Sequence, residues 1–268
     1  MTVPRRACIN GVLSALETAA LPLTDEGVAR GYGAFETIGV WDGRPFRLAD
    51  HLDRLATSLK LILLPELDRA GMEDDIERVL EGVDGDAALR AYVTGSGTRI
   101  VTLDAPPERV DATHLVPQPA PWIRPRRSYG PSGAKTMSYM PNMVATRAAE
   151  QAGGDDALLV SLEGTVLEGP TFALYWTRGG AVYTPSTELG VIDSISRRAV
   201  LEVARAAGHR VVEGTFTLDD LAAADEVMLS SAVRDVIAVR QVGDLTYDGP
   251  TPVRDALSDG LWRARRAG

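Results

Sequence analysis

The sequence predicts an α+β protein of two domains. Residues 1–116 form a small N-terminal α/β domain, and residues 134–268 form a larger C-terminal domain of mostly antiparallel strands and helices. Three observations carry this. The chain has 268 residues, enough for two cores. Segments of strand period and of helix period follow one another in both halves. Between them, residues 117–133 hold five prolines (117, 119, 121, 125 and 131), which reads as an interdomain linker.

Taken in order, residues 7–13 and 34–41 alternate and read as strands, with Asp42-Gly43 turning a hairpin into Arg44-Pro45-Phe46. Residues 48–62 carry Leu48, Leu52, Leu55, Leu59 and Ile62 on one helical face. A second helix is expected over 72–82, then strands over 88–94 and 99–103 around Gly95-Ser96-Gly97. After the linker, residues 142–152 read as a helix stopped by Gly153. Strands follow at 157–162, 165–167, 172–177 and 182–184, a helix at 196–207, and strands at 210–213, 226–230 and 236–242.

Composition narrows the function. Apolar residues at 45% and charged residues at 24% suit an ordered globular chain and argue against disorder. No apolar run approaches the roughly 20 residues that span a bilayer. The N-terminus lacks a secretory h-region. Cys8 is the single cysteine, which excludes an internal disulfide and a cysteine-built zinc site. The expectation is a cytoplasmic protein without a membrane partner. The net charge of −9 disfavours nucleic acid, because phosphate neutralisation needs a basic excess. The cluster Arg124, Arg126 and Arg127 reads as a solvated linker.

The basic residues carry a sharper signal. Of 28, only Lys60 and Lys135 are lysine. Arginine serves wherever positive charge suffices, but not where a deprotonatable primary amine is needed. Lys60 ends an amphipathic helix and reads as solvated or snorkelling. Lys135 lies among small and apolar neighbours, Gly133, Ala134, Met137, Tyr139 and Met140. Burial there disfavours the ammonium, as a Schiff-base lysine requires.

Other residues gain meaning beside such a lysine. Glu168 ends a hairpin strand in GTVLEGPTF. A carboxylate can start a turn, and it can also hold the protonated ring nitrogen of a pyridoxal cofactor. Ser194-Ile195-Ser196-Arg197 opens a helix, where a serine caps and where free N–H groups suit a phosphate. Arg54 belongs to a polar stripe of Arg47, His51, Arg54 and Ser58 beside the leucine face, either solvated or clamping a phosphate. Competing chemistries are poorly supported. His51, His114 and His209 are far apart in sequence, so no metal site is expected. HExxH, GxSxG and GxGxxG are absent.

GYGAFETI, FRLADHLDRL, the isolated lysine, LEG after a hairpin, SISR opening a helix and DEVMLSSAVRDVIAV occur in this order over residues 8–245. The arrangement resembles the class IV pyridoxal-phosphate aminotransferases (fold type IV). That family holds D-amino-acid, branched-chain and (R)-amine transaminases and 4-amino-4-deoxychorismate lyases. The resemblance implies a small two-domain homodimer that binds pyridoxal 5'-phosphate. By position, Lys135 looks like the Schiff-base lysine and proton shuttle, and Glu168 like the partner of the ring nitrogen. Arg54, Ile195 and Ser196 look like phosphate ligands. Tyr139 looks like the partner of the phenolic oxygen, and Ser231 like a further phosphate-loop residue. The chain departs from the pattern at Ala232, where many members have threonine.

Arg30 and Tyr32 in ARGYGAFET and Arg90 in ALRAYVT resemble the substrate side of an atypical subgroup of D-amino-acid transaminases, in which arginines grip the α-carboxylate. The expected reaction is ping-pong transfer of an amino group between a D-amino acid and an α-keto acid. Elimination of pyruvate by the lyase, branched-chain L-amino-acid or (R)-amine transamination, and a non-catalytic relative are the alternatives.

Overall fold

The computed structural model describes residues 3–125 and 128–267; Arg126 and Arg127 of the basic cluster lie outside them. The described residues form two compact units. One comprises residues up to Glu108 together with Ala134–Tyr139, the other Arg109–Gly133 together with Met140–Ala267.

The first unit runs β1 (Arg6–Ile9), β2 (Val12–Ala15), α1 (Glu26–Arg30), β3 (Gly33–Trp41), β4 (Arg44–Pro45), α2 (Leu48–Leu61), α3 (Arg69–Leu80), β5 (Ala87–Thr94) and β6 (Arg99–Asp104). Its strands form one six-stranded sheet in the order β2-β1-β6-β5-β3-β4. Every pairing in it is antiparallel. Residues 7–13 were expected as one strand. They break into β1 and β2 because Asn10 and Gly11 both take positive φ (49° and 85°), the turn a twisted two-residue hairpin needs.

Alternation along β3 sends Ala34, Ile38 and Val40 into a core with Leu52, Leu55 and Leu59 of α2 and Met72, Ile76 and Val79 of α3. Each buried valine, leucine, isoleucine or methionine among them contributes about 1.5–3 kcal/mol. The odd-numbered residues of β3 leave the opposite face, where Phe35 stands beside Tyr92 and Thr37 beside Arg90 of β5. The Lys135 segment joins this sheet rather than the second unit. Thr136 bridges Ala34 in antiparallel fashion. The Phe35 N–H donates to the Lys135 carbonyl at 3.0 Å and the Met137 N–H to that of Gly33 at 2.9 Å. Glycine is required at position 33, because a Cβ there would come within 2.6 Å of the Val93 carbonyl oxygen.

The second unit runs β7 (Ala112–Pro119), α4 (Met140–Gln151), β8 (Asp156–Val160), β9 (Ala173–Arg178), β10 (Ala181–Pro185), α5 (Ile195–Ala206), β11 (Val211–Gly214), α6 (Leu218–Ala222), β12 (Glu226–Ser231), β13 (Arg234–Val242), β14 (Leu245–Thr246) and α7 (Pro252–Ala267). The sheet order is β11-β10-β9-β12-β13-β7-β8, with β14 on β13. The expectation of mostly antiparallel strands holds for four of its seven pairings. The pairs β10–β11, β13–β7 and β7–β8 are parallel, so the sheet is mixed.

The linker expected over 117–133 begins as strand, since Pro117 and Pro119 lie in β7. Their ladder positions explain this. Leu115 is the last residue of β7 paired to β13, and its carbonyl accepts the Gly243 N–H. Alternate residues address the same neighbour, so the donors missing at 117 and 119 fall beyond the end of β13. Val116 and Gln118 remain registered on β8. Residues 165–167 make only isolated bridges, Val160 to Val166 and Thr165 to Thr217. Helices α1, α6 and α7 were not foreseen. Among the described residues no helix is long and apolar enough to cross a membrane, and no group of histidine, cysteine, aspartate and glutamate could hold a metal.

Candidate active site

In the first unit, Lys135 lies directly opposite Phe35, so both side chains leave the same sheet face. The Lys135 Nζ stands 4.3 Å from the Phe35 ring centroid and 5.7 Å from that of Tyr139. Phe35 stacks on Tyr92 at 5.6 Å and meets Tyr139 edge-on at 5.5 Å. Ser58 of α2 accepts the Lys135 backbone N–H at 3.1 Å. The amine is thus held half-buried in an aromatic corner, its backbone fixed on two sides. Lys60, the other lysine, is exposed at the end of α2.

Arg90 shares that face, one row along the sheet from Lys135. Strand spacing and rise put their Cα atoms about 12 Å apart, within the joint reach of two long side chains. Arg90 is half-buried; among the described residues it forms no ion pair, although its charge bears on Asp104 and Tyr92. Arg30 differs. It is exposed at the end of α1 and pairs with Glu26 at 3.1 Å. The Tyr32 hydroxyl donates to the Ile62 carbonyl at 2.8 Å, which ties the start of β3 to the end of α2.

The polar stripe of α2 is buried rather than solvated: His51 is 2% exposed and Ser58 1%. The reason is Glu36, which alternation turns inward among Ala34, Ile38 and Val40. Its Oε1 accepts the Arg54 Nε–H at 2.7 Å, and its Oε2 accepts Arg54 Nη2 at 2.5 Å. His51 Nδ1 lies 2.7 Å from Oε2. Burial alone would raise the Glu36 carboxyl, but the Arg54 guanidinium, with the bonds from Arg54 and His51, holds it at about 2. An ionised carboxylate only accepts, so the shared proton sits on His51 Nδ1. Burial lowers the His51 pKa, against the pull of Glu36.

In the second unit, Glu168 is fixed by the Ile192 N–H, which donates to Oε1 at 3.0 Å. Helix α5 begins as expected, with the Ser194 side chain accepting the Arg197 N–H at 3.3 Å. The N–H groups of Ile195 and Ser196 belong to the first turn, where no intrahelical carbonyl reaches them. Arg197 is buried and donates to the Pro185 carbonyl at 3.0 Å and to Glu213 at 2.6 Å, which locks the helix start against β10 and β11. Ser231 ends β12 and is buried. The turn after it is braced by the buried Arg265 of α7, which donates to the carbonyls of Ser231 at 2.8 Å and Arg234 at 3.0 Å and pairs with Asp235 at 2.7 Å.

The structure therefore groups Lys135, Tyr139, Arg54 and Arg90 in one unit, and Glu168, Ile195, Ser196 and Ser231 in the other. Phe35, Glu36 and Arg265 were not singled out from sequence. Glu36 had a readable signal, a carboxylate on the inward side of an alternating strand. Arg265 had none, since its partners, backbone carbonyls and Asp235, lie 30 or more residues away. Within the first unit, an amine among aromatic rings suits a ligand carbonyl; within the second, an oriented carboxylate suits a ring nitrogen and a helix N-terminus suits a phosphate.

Comparison with known proteins agrees. The chain is 28% identical over 261 residues to aminodeoxychorismate lyase of Bacillus subtilis, covering 89% of this chain and 87% of the relative. It is 30% identical over 278 residues to the bifunctional aminodeoxychorismate lyase / D-amino acid transaminase of Mycobacterium tuberculosis, covering 88% and 90%. A "probable branched-chain-amino-acid aminotransferase" of Synechocystis and a D-alanine aminotransferase of Bacillus licheniformis are also among its relatives. The solved fold IV-transaminase CpuTA1 from Curtobacterium pusillum superposes with a TM-score of 0.90 at 27% identity, over 98% of both chains. Proteins of this class use pyridoxal phosphate, and the residues above fit it. The family model for amino-transferase class IV matches residues 33–242, most of both sheets, and the chain belongs to that family of pyridoxal-phosphate enzymes.

Proposed function

We propose that this enzyme moves an amino group between a D-amino acid and an α-keto acid in two half-reactions, as a homodimer in the cytoplasm. When bound, pyridoxal phosphate supplies a carbonyl for the amine and a protonated ring that withdraws electrons from the α-carbon. Lys135 would provide the amine that engages that carbonyl. Lys135 Nζ would be the base that takes the proton from the substrate α-carbon. Glu168 would accept a hydrogen bond from the ring nitrogen and favour its protonated form. Tyr139 donates to the phenolic oxygen. Arg54, Ser231 and the Ile195 and Ser196 N–H groups hold the phosphate.

The observation that carries the D-amino-acid reading is Arg90, a guanidinium without an ion pair among the described residues on the sheet face that presents Lys135. A planar guanidinium binds a carboxylate through paired, directional bonds. Arg30 is a second anchor. Its exposed pair with Glu26 is worth at most about 1 kcal/mol, so it can exchange that carboxylate for the substrate's. Tyr32 borders the same segment.

The test is a half-reaction screen of holoenzyme with D- and L-amino acids, followed by cofactor absorbance. Arg90→Ala slows D-amino acids at least tenfold more than an (R)-amine that lacks a carboxylate. Equal losses on both substrates remove the reading. The lyase is the second reading, favoured by the names of the Bacillus and Mycobacterium relatives. Pyruvate released from aminodeoxychorismate without an amino acceptor would establish it, and faster turnover of branched-chain L-amino acids would establish that alternative.

A further inference from the structure

The motifs GYGAFETI and FRLADHLDRL contain a buried charge that the roles above leave unused. Glu36 is fully buried in the apolar core face of β3. Burying a carboxylate costs several kcal/mol unless it is paired and hydrogen-bonded. Here three donors converge on it, two from Arg54 and one from His51. The two Arg54 bonds occupy the side-on fork of the guanidinium, Nε with Nη2. Such a fork fixes the guanidinium plane as well as its distance. The end-on fork, Nη1 with Nη2, is thereby held in one orientation.

We propose that Glu36 is a positioning residue for the cofactor phosphate, acting through Arg54, with His51 fixing the carboxylate from its other side. This rests on the reading of Arg54 as a phosphate ligand. A flexible arginine loses side-chain entropy each time it binds an anion, whereas one locked in advance has already lost it. Glu36 also opposes binding, since its charge partly neutralises Arg54. Positioning and neutralisation predict opposite signs for its removal, so the balance can be measured.

The experiment titrates apo-protein with pyridoxal phosphate and with pyridoxal, which lacks the phosphate. Glu36→Gln keeps the size but places an NH2 against donors. It is expected to weaken pyridoxal phosphate about tenfold and leave pyridoxal unchanged. In an Arg54→Ala background the same change has no further effect on either ligand. Glu36→Asp keeps the charge, withdraws the fork by one methylene and falls between; it supplies the comparison if Glu36→Gln does not fold. Unchanged or tighter pyridoxal phosphate binding in the Glu36 variants overturns the proposal. So does parallel weakening of pyridoxal, or a further loss in the Arg54→Ala background. Arg54→Ala with wild-type affinity overturns instead the reading of Arg54 on which the proposal rests.

Discussion

Replacing Arg54 with alanine has a consequence for stability separate from cofactor binding. In the wild type, Glu36 is held at about 2 against its ordinary 4.5. A carboxyl lowered in the folded state stabilises the fold above its unfolded pKa, by about 3 kcal/mol here, and loses that as pH falls towards the folded value. Arg54→Ala removes two of the three donors on this buried group. Burial then dominates and lifts Glu36 above 4.5. Its charge becomes a penalty wherever the unfolded chain is ionised. Breaking a buried pair in this way costs about 3–5 kcal/mol, roughly 10 °C in Tm for a chain of this size. The penalty is full at pH 8 and shrinks towards pH 5, as Glu36 protonates or His51 gains a proton. Thermal melts of the apo-protein across that range measure it. Adding Glu36→Gln removes the orphaned charge and should recover about half of the loss at pH 8. An Arg54→Ala deficit that is equal at pH 5 and pH 8, with no recovery in the double variant, would refute the account of this network.

Lys135→Ala and Lys135→Arg should both abolish turnover, because neither supplies a neutral primary amine at neutral pH. Wild-type rates in either variant would end the assignment of Lys135. Cys8 is buried, and burial with the nearby Asp75 pushes its thiol up to about 11. A thiol reagent at pH 8 should therefore leave the native protein unlabelled and label it fully in denaturant.

Much of this was legible in the sequence where the signal is local. The leucine repeat over 48–62 predicts α2, because helical period and burial are set within a few turns. Ser194 predicts the start of α5, because a cap acts on its own first turn. The rarity of lysine marks Lys135, because chemistry alone distinguishes an amine from a guanidinium. The motif order was enough to indicate the family.

Tertiary structure decided what depends on pairing between distant segments. Nothing local to residues 117–119 shows that two prolines can sit in a strand; that follows from where β13 ends. Lys135 was expected with the residues after it, yet it completes the sheet edge at β3, some 100 residues earlier. The stripe on α2 read as solvated or phosphate-binding until Glu36, 18 residues from Arg54, came in beneath it. The face shared by Lys135 and Arg90 exists only in the register of three strands. Periodicity reports which face of an element is buried. What that face meets is the outcome of long-range packing, in which one carboxylate under a helix turns an arginine of a polar stripe into a buried, oriented ion-pair partner.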